Sequence, residues 1–559
     1  MNFKNIKKTI KGDFTGGMTA AIIALPMALA FGLQCNPDQP EIGLYTAIFL
    51  AIIASIVAGT KTLISDPTGP MTIIAAGVIA KAGGADIGLP TIIVSFAFAG
   101  IFQILFGLIR VAQYVKYISY PVLSGFMGGI GIIIILFQWN SFFGDPPKKE
   151  IFDILGHLPD PIIHHHWSAM ILGISTLSLI YLIPLISKKI PAGLIALILG
   201  TIISFFLDPN WGVDWEFETI GSIPDNLPTF KKEIFDFDWF GFTSDELGNK
   251  TSNLSIVIVS GLTLAGLGTI DTLLTSVVAD NLTKTKHNGN RELIGQGLGN
   301  FITALFGGIP GAGSTTGTVS NINSNGTTNL SGIFKGIFLL IVLLGLGQFL
   351  DVVPKPVLSA LLISVGIGII DFKGMKRLIS LKNSDSLVLI LVILLTIFAN
   401  LLVAVGVGMV LSSFFFMQRM GEIVDQQSKQ GDIAEMEKKL KIPNSIKNRI
   451  FEYELDGPLF YGFSDQFKEQ AEAIVGKDAV IINMSQVPYI DASGIYVLEE
   501  VIQHFKEKKI EVVLVGVKDH IFKQFEELKV IPKTLPEEKA YNSVRAGLKY
   551  LKYQLENPI

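Results

Sequence analysis

Residues 63–74 read LISDPTGPMTII, and the fold turns on how that stretch is understood. An acid (Asp66), two prolines (Pro67, Pro70), Gly69 and two threonines interrupt long apolar runs. A plain membrane-crossing helix contains none of these. The third hydrophobic element of the chain therefore begins at a break, Pro67-Thr68-Gly69-Pro70, rather than at a loop end.

The surrounding composition sets that break in a membrane. The 559-residue chain is 49% hydrophobic and 16% charged, with 38 Phe and a mean hydropathy of +0.51. Soluble domains carry nearer a quarter charged residues. The apolar residues come in blocks, among them GGIGIIIILF (128–137), GLIALILGTIISFFL (193–207), GIFLLIVLLGLGQFL (336–350) and LVLILVILLTIF (387–398). About 20 apolar residues cross the hydrocarbon of a bilayer. The 56 glycines suit close helix approach in lipid. Cys35 is the single cysteine, which excludes an intrachain disulfide.

Hydropathy and breakers predict spans near 15–34, 42–59, 68–81, 89–110, 121–142, 168–187, 191–207, 254–277, 291–308, 315–323, 331–350, 355–371, 384–402 and 403–418. The 68–81 and 315–323 elements are too short to cross as ordinary helices. The tail MNFKNIKKTIKGD (1–13) is basic and precedes a span too long for a signal peptide, so it is expected to be retained in the cytoplasm. With that orientation Lys61, Arg110, Lys116, Lys188, Lys189, Lys284, Lys286, Arg291, Lys373, Lys376, Arg377 and Lys382 fall in cytoplasmic loops, as the positive-inside rule requires. The acidic loop 208–253 falls outside. The expected organisation is a cytoplasmic tail (1–14), a transmembrane domain (15–420), a linker (421–444) and a cytoplasmic α/β domain (445–559). Strand-like runs alternate with helical ones in that last segment.

A second break answers the first. GGIPGAGSTTGTVSNINSNG (307–326) is again short, interrupted by Gly and Pro, and rich in hydroxyls. Paired breaks at matching positions of two halves point to inverted repeats whose broken elements meet near the midplane. Irregular backbone at that depth is tolerated where it lines a cavity or is buried in protein. Half-helix N-termini then offer donors to an anion. A pair of ordinary interhelical loops would not explain the matching positions. Asp271 stands inside an otherwise apolar span, LTLAGLGTIDTLLTSVVADN (262–281), with Thr275 one turn later on the same face. A charge at that depth costs roughly 2.5–3.5 kcal/mol on insertion scales, so it usually faces a functional cavity. Asp280 reads as an end residue close to Lys284.

FTGGMTAAIIALPMALAFG (14–32), PTGPMT (67–72), DTLLTSVVADN (271–281), ELIGQGLGN (292–300) and GGIPGAGSTTGT (307–318) together resemble the SulP anion transporters. The segment ~445–555, with VPYIDASG (487–494), resembles the STAS domain attached to them. The acid before Pro-Thr-Gly-Pro (Asp66) and Asp271 with Thr275 are most similar to the BicA-type, sodium-dependent bicarbonate branch. The resemblance implies a polytopic α-helical membrane protein of about 14 elements in a 7+7 inverted repeat, a core domain moving against a gate domain, and a homodimer. It also implies sodium ligands at Asp271, Thr275, Gly313, Ser314 and Thr315. Thr68, Gly69, Ser314 and Thr315 open the two half-helices and are the candidates for the anion. Many SulP members carry an Arg after the second break; here Gly317 stands in STTGTVSNI with no base nearby in the sequence. An anion in a low-dielectric site without a fixed cation is costly, which favours obligatory sodium coupling; a proton on Asp271 is the rival.

The expected function is secondary uptake of bicarbonate with sodium across the cell membrane. The alternatives are sulfate or a small dicarboxylate, with proton coupling left open, or an anion channel or sensor. A channel would have no need of the Asp271–Thr275 pair. No enzyme activity, cofactor, nucleic-acid partner or metal beyond sodium is expected; membrane lipid and a second copy of the chain are the other expected partners. GAGSTTG lacks the Lys of a phosphate loop. His157 and His164-His165-His166 read as a surface loop rather than a metal site. Ala492 occupies the place of a phosphorylatable Ser in related regulators, leaving Ser493.

Overall fold

The computed structural model describes residues 3–148, 151–163, 166–187, 191–207, 218–221, 227–244, 250–381, 383–399, 401–427, 429–431, 446, 449–460, 467–469, 471, 474 and 476–557. Lys188, Lys189, Lys382, His164, His165 and much of the acidic loop, including Asp208, Asp214, Glu216, Asp225, Asp245 and Glu246, lie outside the described residues. The described residues form two compact units, Met1–Met409 and Val410–Ile559.

The first half of the membrane region comprises α1 (Phe3–Cys35), α2 (Glu41–Val57), strand β1 (Ser65–Asp66), α3 (Gly69–Lys81), α4 (Ala85–Leu108) and α5 (Tyr120–Phe142). Two short helices, α6 (Ile151–Gly156) and α7 (Asp160–Ile163), lead to α8 (Trp167–Ile186) and α9 (Ala192–Leu207). A small hairpin, β2 (Phe242–Ser244) with β3 (Lys250–Ser252), precedes the second half. That half comprises α10 (Asn253–Thr283), α11 (Gly289–Leu305), β4 (Ala312–Gly313), α12 (Thr315–Asn323), α13 (Leu330–Leu350), α14 (Lys355–Ile369), α15 (Phe372–Leu381), α16 (Ser384–Phe398) and α17 (Leu401–Gln427).

Six of these helices are individually long and apolar enough to cross a bilayer, and the bent pair α14–α15 would make a seventh. The half-helices α3 and α12 have only 13 and 9 residues. At 1.5 Å per residue they reach about 20 Å and 14 Å, so each accounts for only part of the depth. The sequence reading places one span over 355–371; α14 ends at Ile369, as expected, and the chain then bends by 41° at Ile370–Asp371 into α15. Asp371 accepts from Gly374 N at 2.9 Å and from the Tyr120 hydroxyl, starting a new helix where the span was expected to end.

Helix packing repeats between the halves. α4 packs on α10 and α11, and α13 packs correspondingly on α1 and α2. α5 packs on α16, as α14 does on α8, and α5 meets α14 directly. α3 lies against α10, and α12 against α1. Exchanging the halves maps each of these contacts onto its counterpart. The result is a bundle of α1–α4 with α10–α13 beside one built on α5, α8, α9, α14 and α16. The approach of α4 to α11 depends on missing side chains: a Cβ on Gly100 would lie 2.5 Å from Gly297 O, and one on Gly297 2.5 Å from Gly100 O.

The second unit contains a five-stranded sheet in the order β5 (Lys429–Gly431), β6 (Ile450–Asp456), β7 (Ala479–Gln486), β8 (Glu511–Val515), β9 (Ala540–Tyr541). β5 is antiparallel and the other pairings are parallel. The sheet thus takes in residues 429–431 from the stretch expected to be linker. Helices α18 (Ala492–Glu507), α19 (Asp519–Glu527) and α20 (Val544–Glu556) follow. Both sheet faces are covered: Leu498, Ile502 and Phe525 pack with Ile482 and Leu514, and Val544, Leu548 and Leu551 with Ile481 and Val513. Such burial explains the near-continuous apolar run of β7. Asp491 caps α18, accepting from Gly494 N at 2.8 Å, and Ser493 is half-buried beside it.

Candidate functional site

The two breaks meet. β1 and β4 pair antiparallel, Ser65 opposite Gly313 and Asp66 opposite Ala312. Ser314 N donates to Ile64 O at 2.7 Å, and Ile64 N donates to Thr318 Oγ1 at 3.0 Å. Each strand runs directly into a half-helix, so α3 and α12 leave the crossing in opposite directions with their N-termini at it. Their caps differ. Ser314 Oγ accepts from Gly317 N at 3.2 Å, whereas no side chain caps α3.

The Thr68 hydroxyl is instead given to α10: it donates to Asp271 Oδ2 at 2.8 Å. One turn along α10, the fully buried Thr275 donates to Gly313 O at 2.9 Å, and its oxygen lies 2.9 Å from Thr315 Oγ1. Thr272 Oγ1 accepts from Gly313 N at 3.1 Å. The 3.6-residue helical repeat puts Asp271, Thr272 and Thr275 on the side of α10 that meets the crossing. Asp271, Thr275, Gly313 and Thr315 therefore gather as carboxylate, hydroxyl and main-chain oxygens on one side. Among the described residues no basic side chain neutralises Asp271.

Ser314 is at the crossing but its amide is engaged by Ile64. With Asp66, Pro67 and Gly317, Ser314 lines a small cavity closed by Ala24 and Met27 of α1. Gly69, Pro70 and Met71 are buried at the start of α3, while Thr315 and Thr316 are exposed at the start of α12.

The expectation that no base stands near Gly317 holds along the chain but not in space. Lys335 enters from α13, fully buried. Its Nζ donates to Ser65 O at 2.9 Å, to Ala47 O at 3.1 Å and to Asp66 Oδ1. A Cβ on Gly317 would meet Asp66 Oδ2 and Ser314 Oγ at 3.2 Å and Ile64 Cγ2 at 3.0 Å. Asp66 thus has one oxygen on Lys335 and the other toward Gly317. A lysine inside the apolar run GIFKGIFLLIVLL (332–344) was the signal for it, because an ionisable residue at that depth is a site by default. Asp280 lies in the last turn of α10, as an end residue should; it accepts from His287 N at 3.0 Å and its Oδ2 lies 2.7 Å from His287 Nδ1, closing the α10–α11 turn on His287.

Supports reach the crossing from neighbouring helices. Asn300 of α11 accepts from Gly311 N at 2.8 Å and donates to Gly311 O at 3.0 Å and Gln103 Oε1 at 2.8 Å. Glu292 accepts from Gly59 N and Thr60 N at 2.8 and 2.7 Å, fixing the approach to β1. Asn321 holds Thr62 O at 2.9 Å and Ser331 Oγ at 2.8 Å. Among the described residues no cluster of His, Cys, Asp and Glu could hold a metal ion.

Crossed half-helices inside an inverted repeat, with N-termini converging beside a carboxylate that has no basic partner among the described residues, define a multi-pass membrane transporter of anions. The pattern of the Sulfate permease family matches residues 10–392, and that of the STAS domain residues 441–546. The chain belongs to the sulfate permease, or SulP, family. It is 36% identical over 555 residues to the bicarbonate transporter BicA of a Picosynechococcus strain, covering 97% of this chain and 94% of that one. It is 28% identical to the putative sulfate transporter YvdB of Bacillus subtilis, covering 92% of each. The transmembrane domain of a cyanobacterial BicA superposes with a TM-score of 0.62 at 38% identity, over 72% of this chain and 98% of that one. Murine Slc26a9 shares the fold, with a TM-score of 0.82 at 18% identity over 98% of this chain and 92% of that one.

Proposed function

We propose that this transporter takes up bicarbonate together with sodium by alternating access. The observation that carries the reading is the set of oxygens at the crossing: the Asp271 carboxylate, without a basic partner among the described residues, beside Thr275 Oγ1, Gly313 O and Thr315 Oγ1. Sodium is a hard cation, and a carboxylate, hydroxyls and unwound carbonyls suit it. Once bound, sodium would place positive charge beside the open first turn of α3. There the amides of Gly69 and Met71 and the hydroxyl of Thr68 would receive the anion, with Thr315 across from them. Ser314 would contribute from its main chain on the sodium side and its hydroxyl on the other.

Kinship with named bicarbonate transporters favours bicarbonate; kinship with putative sulfate transporters keeps sulfate as the second reading. Purified protein in proteoliposomes decides between them. Labelled bicarbonate should accumulate under an inward sodium gradient and not under a choline gradient of equal strength. Sodium-independent accumulation, or sulfate taken up in preference, would overturn the proposal.

A further inference from the structure

The two sides of the crossing carry the same ingredients in different form. On the α10 side are a carboxylate (Asp271) and the Gly313 carbonyl, with no basic partner among the described residues. On the side of α1, α2 and α13 are a carboxylate (Asp66) and two main-chain carbonyls, Ala47 O and Ser65 O, gathered around a cation that belongs to the chain. The helices are counterparts under exchange of the halves, α1 for α10, yet the α1 face at the cavity offers only Ile23, Ala24, Met27 and Ala28. The acid there comes from the strand itself, at Asp66, opposite Ala312 in the register.

A fully buried ammonium within a helix of apolar residues is stable only when its charge is matched and its protons are accepted. Lys335 meets both conditions with three oxygens, the ligand set a small cation would receive from the same groups. We propose that Lys335 is a tethered cation filling the nest of one carboxylate and two carbonyls formed by Asp66, Ser65 and Ala47, so that the protein carries one exchangeable sodium rather than two. The inference rests on the sodium reading of the Asp271 side.

The test is equilibrium binding of radioactive sodium to the purified full-length protein, with thermal melting in sodium and in choline. Wild type should bind one sodium per chain. Lys335→Met keeps an unbranched side chain, one atom shorter, and removes its charge; it should bind two, and its melting temperature should depend on sodium more steeply than that of wild type. The double variant Asp66→Asn with Lys335→Met removes both charges and should return to one. A wild type that binds none overturns the sodium reading and this inference with it. One sodium in wild type and still one in Lys335→Met overturns this inference alone. So does a Lys335→Met protein that cannot be recovered even in high sodium, because the ion should then replace the ammonium.

Discussion

The two breaks are built to the same backbone plan and finished with opposite chemistry. At the first, the strand carries Ser65 and Asp66 and is braced by an ion pair to Lys335. At the second, the strand carries Ala312 and Gly313, and the adjoining Gly311 is clamped by the neutral amide of Asn300. Small residues at the second break let Thr272 and Thr275 of α10 reach the Gly313 backbone directly. The symmetry of the halves supplies the crossing, and the departures from it supply the chemistry. One side holds fixed charge, and the other leaves a carboxylate with no basic partner among the described residues.

Asp271→Asn attacks the mobile side and should have the largest effect. Sodium-driven uptake should fall by on the order of 100-fold, the upper range of coupling between two linked ligands, with expression and melting behaviour retained. Uptake in proteoliposomes at wild-type rate and with unchanged sodium dependence would remove Asp271 from the coupling site. Asn300→Ala attacks the neutral clamp. It strands Gly311 N and O, and buried groups left without partners cost about 1–3 kcal/mol each. A marked drop in melting temperature is expected, with sodium selectivity kept in the protein that remains folded; an unchanged melting curve would show the clamp to be dispensable.

Gly317→Arg blurs the difference between the breaks. Its Cβ would sit beside Asp66 Oδ2, so the new guanidinium should share Asp66 with Lys335 and bring fixed positive charge to α12. Calorimetry should then show a smaller tightening of anion binding by sodium than the 5–150-fold typical of linked sites. An anion affinity equal in sodium and choline in the wild type would contradict the linkage itself. Removal of residues from about 440 onward should change the site least. The second unit has its own apolar cores on both faces of its sheet. Anion preference in competition uptake should stay as in the full chain even where rate or assembly suffers.

Most of this architecture is legible in the sequence because membranes leave few options. Apolar blocks give the spans, and PTGP and GGIPGAGSTTG give the breaks, since nothing else explains Pro, Gly and hydroxyls at that depth. Asp271 and Thr275 stand out for the same reason. What stays hidden depends on through-space partners. The base for Asp66 lies 269 positions away, inside a helix that otherwise reads as a plain span. The bend after α14 escapes hydropathy, which records how apolar residues are and not how they are aimed. The engagement of the Ser314 amide by Ile64 follows from a strand register that no local motif encodes.

The crossing also has a consequence for how the protein is made. Ile64 and Thr318, bonded to each other across β1 and β4, are 254 positions apart. A nascent chain that has delivered α1 to α5 to the bilayer holds β1 with no strand to pair with, and Asp66 without Lys335. Only when the ribosome has completed α13 can the first break be satisfied. The first half must therefore wait in a provisional arrangement, and contacts of such long sequence separation are slow to close. Quality control that senses unpaired polar groups in lipid would find them at Asp66 until synthesis has passed residue 335.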